Sequence, residues 1–216
     1  YGLSSEVEST TYTHTQLVKY QVNDWDFIVG RAEANGMLAY IENGKVSVKK
    51  PLAGGMADLK VEFGNDVISY DCSIESRSQA PHALSSAWDF KTQSLVEQKS
   101  SEPDLNQQGN LKGIELGQEI GLSAISTSTT GPIEKEELKV WADAQLTRDR
   151  MSMMRGTITF SGNAKPKLNT LLKMDGFGDR FNGSALITSI QHSIRAGIWH
   201  TTAGFGLPPE WHYEQR

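Results

Sequence analysis

Apolar and polar residues change rhythm several times along the chain. From Gln16 to Val22 they alternate, with Val18, Tyr20 and Val22 on one side, and this period of two predicts a strand. The period then lengthens. Trp25, Ile28, Val29 and Ala32 fall at i, i+3, i+4 and i+7, predicting a helix over 24–36 with these four on its core face. Asn23 or Asp24 can cap its first free amides, and Gly36 can adopt the left-handed conformation that ends a helix. Met37 to Glu42 and Lys45 to Lys50 follow, joined by Asn43-Gly44, the pair best suited to a two-residue hairpin turn. Asp66 to Ser78 carries Ile68, Tyr70, Cys72 and Ile74 at period two, which predicts a half-buried strand.

Periodicity disappears from Lys99 to Gly113, where Ser, Glu, Asp, Gln, Asn and Gly around Pro103 predict a loop. A helical pattern returns between Pro132 and Met154. Leu138, Trp141, Ala142, Gln145 and Leu146 line one face, Glu134, Glu136 and Glu137 sit at its favourable N-terminal end, and Asp149 interrupts the C-terminal half. Gly156 to Gly162 alternates again through Ile158 and Phe160. Leu186, Ile190 and Ile194 share a side of another long strand, and Arg195-Ala196-Gly197 reverses the chain so that Ile198 to Phe205 pairs with it. This order of elements predicts an α+β fold, mainly antiparallel β, without Rossmann-like alternation.

At 216 residues the chain can bury a core without disulfides or metals, and 38% hydrophobic with 22% charged residues is the balance of a globular protein. A formal charge of −5 opposes a phosphate backbone, and no dense Lys/Arg stripe offsets it, so nucleic acid is not expected as a partner. No apolar run reaches the roughly 20 residues of a membrane-spanning helix, so stable membrane insertion is not expected. The opening Tyr1-Gly2-Leu3 has neither a basic leader nor an initiator Met and reads as part of a longer chain. The lone cysteine, Cys72, reads as a small buried hydrophobe.

Chemistry-bearing spacings are sparse. His14, His82, His192, His200 and His212 contain no HExxH pair, and only His192 and His200 have the spacing to meet across the last hairpin, with no third ligand. Asp175 to Gly183 fits neither a calcium loop nor a phosphate loop and reads as a tight turn. No GxSxG elbow surrounds a serine, including those of Ser123 to Thr130, and the Glu134, Glu136 and Glu137 cluster reads as a solvated helix start. We therefore assign no catalytic, cofactor-binding or metal-ligating residue and expect no cofactor and no enzymatic activity.

The run Tyr20-Gln-Val-Asn-Asp-Trp-Asp-Phe-Ile-Val-Gly-Arg-Ala-Glu-Ala-Asn-Gly36 closely resembles a signature of Vgr (VgrG) proteins. These are the Rhs-element spike proteins of type VI secretion, related to phage baseplate hubs and late control D tail proteins. Asp71-Cys72, Ile74 to Arg77, Trp88-Asp89 and Thr92-Gln93 are similar to the family's following strands. Arg155-Gly156, Gly183, His192, Gly197 and Thr201-Thr202 look like its last barrel strands, and Gly206 to Trp211 like the connection to an OB-type domain. The resemblance implies a small α+β module over 1–64, a β-barrel-like hub domain over 65–205 with its helix at about 134–154, and a linker over 206–216. It also implies the later part of a hub whose relatives carry a preceding barrel.

The implied role is structural: a homotrimeric tube that docks on inner-tube and baseplate proteins and carries the needle and secreted effectors. Such a protein is assembled in the bacterial cytoplasm and then secreted or injected. Two other readings compete. One is a spike-associated envelope hydrolase or effector using a group such as His192 or Glu137, and the other is a carbohydrate-binding β module.

Overall fold

The computed structural model describes residues 2–129 and 133–212. Thr130 of the serine-rich stretch, Pro132 of the long helix and residues 213–216 of the expected linker lie outside the described residues. The chain begins with β1 (Ser4–Val7), α1 (Asp24–Ala34) and a hairpin of β2 (Leu38–Glu42) and β3 (Lys45–Lys49). Asn43 and Gly44 stand at φ 50° and 75°, the left-handed pair that a two-residue turn between twisted strands requires. β1 adds parallel to β3, giving the order β1-β3-β2.

Next come β4 (Leu59–Glu62), β5 (Val67–Ile74), β6 (Ala83–Asp89), β7 (Ser94–Lys99), α2 (Gly113–Glu119) and β8 (Ile125–Thr129). The long α3 (Lys135–Ser152) then leads into β9 (Met154–Ser161), β10 (Leu171–Asp175), β11 (Gly183–Arg195) and β12 (Ile198–Phe205). Six strands form one sheet in the order β4-β10-β11-β12-β9-β5, and β7-β6-β8 forms a separate small sheet. α3 packs against α1, β6, β7 and β9 and so ties the three sheets together.

The six-stranded sheet curls into a half-barrel, because strands from both of its ends supply one core. Val61 of β4 and Ile74 of β5 meet Ile158, Phe160, Leu172, Met174, Ile187, Ala203 and Phe205 there. Phe63 and Tyr70 approach across the gap between the end strands, their ring centroids 5.4 Å apart. The fold is thus α+β and mostly β, as the periodicity predicts.

Several local expectations are overturned. Residues 16–22 form no strand, since none of the described strands pairs with them and Gln21 breaks the extended run at φ 49°. Trp25 is exposed and Asp26 is buried, because Asp26 has polar partners on the inner side of α1. Leu186 does not share a side with Ile190 and Ile194. A bulge between Ile187 and Ser189 switches the facing, leaving Ala185 and Ile187 inward before it and Ile190 inward after it. A second bulge, between Val67 and Ser69, gives Val67 the inward place on β5 and leaves Ile68 exposed. α2 and β8 are additional to the expected elements, so the described residues form three helices rather than two. Residues 59–62, expected in the first module, pair with β10 in the large sheet.

Candidate assembly surfaces and the C-terminal strap

The longest hairpin outruns its neighbours. β10 pairs with β11 only over Gly183–Leu186, and β9 pairs with β12 only from His200 to Phe205. Just past those limits the Ile187 backbone still bonds Thr170 and Asn169, and the Trp199 carbonyl still accepts from the Gly162 amide at 2.8 Å; further toward the tip, among the described strands, β11 pairs with β12 alone. Ile190 pairs with Ala203, His192 with Thr201 and Ile194 with Trp199, so these six residues share one face. Ala203 and Thr201 are buried in that face, whereas Ile194 is 73% exposed. The core-facing stripe therefore continues past the part of the sheet that covers it. Trp199 folds against Gly162, where any side chain would overlap the indole, and the His192 ring stands 5.6 Å from it. Ile198 is exposed on the other face of the tip.

β5 is an end strand of the half-barrel, with Ile68, Ser69, Tyr70 and Asp71 exposed. Tyr70 meets Phe63 and Phe177 edge-on and is 47% exposed. Cys72 is half-buried on this strand, and burial, with a smaller contribution from Asp71, pushes its thiol up to about 11.

The most elaborate polar site is a strap between the C-terminal segment and two helices. Asn23 caps α1 by accepting from the Asp26 amide at 2.8 Å, and its own amide reaches the Asp26 carboxylate at 2.5 Å. Asp26 and Glu33, seven residues apart, lie on one face of α1. His212 Nε2 bonds Asp26 at 3.0 Å, and the His212 amide donates to Glu33 at 2.9 Å. Arg148 of α3 pairs with Glu33 at 2.5 Å, donates to the Glu210 carbonyl at 3.2 Å and lies 5.0 Å from the centre of the Trp211 ring. Trp211 in turn donates to Gln145 at 2.8 Å. Over its described part, the stretch 206–216 thus packs on α1 and α3 through Glu210, Trp211 and His212.

A cavity of about 160 Å³ lies under the strap, beside Glu33, Arg148 and Trp211, and two larger ones lie elsewhere. One of about 480 Å³ is walled by Val7, Tyr12, Phe27, Ile28, Val140 and Trp141. At its polar end Glu137 takes His14 at 3.2 Å and Arg31 at 3.7 Å, so Glu137 is a buried anchor rather than the solvated residue expected, because the preceding chain folds over it. The other, of about 290 Å³, lies beside Pro103, Leu105, Leu111, Met151 and Leu186.

His192 and His200 do not converge. They stand on opposite faces of the hairpin, His192 opposite Thr201 and His200 opposite Ser193. Among the described residues no group of three or more His, Cys, Asp or Glu is placed to hold a metal ion. The Asp175–Gly183 stretch is a tight turn, closed by the Asn182 side chain accepting from the Phe177 amide at 2.8 Å. Sequence reasoning missed the strap. Its readable signal was the polar run Gln145, Arg148 and Asp149 along an otherwise apolar helix face.

The curled sheet with its two small satellites is a fold found in phage tail proteins. The 43 kDa tail protein of prophage MuSo2 from Shewanella oneidensis superposes with a TM-score of 0.60 at 13% identity, over 96% of this chain and 60% of that one. A tail protein from Neisseria meningitidis gives 0.65 at 10% identity, over 96% and 62%. Prophage tail protein gp18 from Listeria monocytogenes gives 0.50 at 11% identity, over 94% and 60%. The chain thus spans about three fifths of the length of these proteins. By sequence it belongs to the Alg8 N-terminal domain family, whose model matches residues 1–196. No curated protein matches it significantly. Among the described residues no helix is long and apolar enough to cross a membrane.

Proposed function

We propose that the protein is a structural component of a phage-tail-like contractile apparatus, a hub of the Vgr type that assembles as a homotrimeric tube. In this reading it docks on inner-tube and baseplate proteins, carries a puncturing needle and secreted effectors, and works mechanically rather than by catalysis. It is made in the bacterial cytoplasm and leaves with the machine. The tail-protein fold supports the reading, as does the run from Tyr20 to Gly36.

The observation that carries it is the core-facing stripe that runs onto the hairpin tip and ends there in the exposed Ile194. Covering a side chain of this size gains roughly 1.5–3 kcal/mol, so a neighbouring copy seated there is stabilised directly. Sedimentation velocity on the full-length protein tests it. A species of three times the chain mass is expected, and Ile194→Glu with Ile198→Glu shifts the population toward monomer. A monomer at every concentration removes the proposal.

A further inference from the structure

Two features of the chain fit one another and do not pair with each other in the monomer. The first is residues 16–22, Gln-Leu-Val-Lys-Tyr-Gln-Val, whose alternation is that of a strand although they pair with none of the described strands. Val18 is 69% exposed and Tyr20 75% exposed, and Gln21 is held at a positive φ that an extended strand would relieve. The second is the outer side of β5. At 8 residues it is the longest of the strands that end a sheet, against 4 for β1 and β4, 5 for β2 and β8, and 6 for β7. Long end strands are ordinarily protected by charge, and β5 carries a single charged residue, Asp71.

We infer that residues 16–22 of one copy add antiparallel to the open side of β5 of a second copy. The charges select the register. Lys19 is the one charged residue of its segment and Asp71 the one of β5; placing them opposite each other sets Tyr20 across from Tyr70 and Val18 across from Cys72. Val18 and Tyr20 then lie on one face with Tyr70 and Cys72, as an extension of the half-barrel interior, and Leu17, Lys19 and Gln21 meet Ser73, Asp71 and Ser69 on the other. The Lys19 ammonium, which pairs with Asp24 in the monomer, exchanges one carboxylate for another. Because each copy has one donor segment and one acceptor side, the contact is head-to-tail, and a rotation that closes it makes a ring. The inference rests on the reading of the protein as self-assembling, and it names the strand that links the copies.

Cysteine cross-linking tests it, using the native Cys72 as the reporter, the protein's only cysteine. Opposed residues of antiparallel strands have Cα atoms about 4.5–5.5 Å apart, within disulfide range. Val18→Cys, a change at an exposed site, is oxidised with copper phenanthroline, since burial keeps the Cys72 thiol poorly reactive alone. The expected result is a ladder of disulfide-linked species at multiples of the chain mass. Adding Cys72→Ser abolishes it, and Leu17→Cys, whose thiol faces the other side of the strand, gives at least fivefold less. Circular dichroism confirms that each variant is folded. Absence of the ladder in an oligomer seen by sedimentation overturns this contact and leaves self-assembly standing, whereas absence together with a monomer removes both. Equal linking by Leu17→Cys overturns the inference too, as does a bond at monomer mass between the introduced thiol and Cys72 of the same chain.

Discussion

At the scale of the residue, the most consequential group is Asp149. Burial raises its carboxyl from 3.8 to about 7, against a lowering by the Gln145 amide at 3.0 Å and by Arg150 and Arg148. Its Oδ2 has no hydrogen-bond partner among the described residues. The folded state therefore retains a proton that the unfolded chain releases above about 4. Stability contributed by this proton is present below pH 4 and is lost as pH rises toward 7, by roughly 4 kcal/mol at most. Asp149→Asn keeps the shape without the charge. Urea unfolding at pH 4.5, 6 and 8 should show a flatter profile for the variant and higher stability at pH 8. Asp149 was legible in the sequence as a charge on an apolar stripe; that α3 keeps it inside was not, because the Gln145 partner on the same helix is what makes its burial tolerable.

At the scale of the element, legibility followed how local the determining interaction is. The hairpins at Asn43-Gly44 and Ala196-Gly197, and α1 with its Asn23 cap, depend on residues within a few positions, and each forms where periodicity and turn chemistry put it. Residues 16–22 have strand rhythm without a partner, and rhythm alone supplies no hydrogen bonds. The bulges in β5 and β11 insert one residue each, so the pattern before them cannot be extrapolated beyond them. α2 begins where the expected loop over 99–113 ends, and Gly113 and Gly117, as weak helix formers, give it little helical signal. Their role is spatial. Both lie on the face of α2 that meets Gln79, and a Cβ on Gly117 would overlap the Gln79 carbonyl oxygen. Gly117→Ala should lower stability by roughly 2–3 kcal/mol despite the gain in helix propensity. A fall in melting temperature checks this, read beside Gly54→Ala, a control at an exposed glycine with open space around it.

At the scale of the whole molecule, three sheets and three helices cohere largely through α3, and the candidate surfaces lie where that cohesion ends. The sequence contained the apolar residues of the hairpin tip, but their exposure depends on where β9 and β10 stop pairing. The strap was illegible for a related reason: Glu33, Arg148 and His212 are brought together only by the packing of α1 on α3. Glu33→Gln weakens the buried pair and should lower stability by about 1–3 kcal/mol, while Glu33→Met with Arg148→Leu recovers part of it. Chemical unfolding of the single and double variants distinguishes a broken pair from lost packing.

The strap also decides how a pull on the final residues would be felt. Tension applied beyond His212 reaches the helices through Trp211, Glu210 and the Arg148–Glu33 pair before it reaches β12. Several bonds hold the tether at once, so they must give way before the last strand can be peeled from its end.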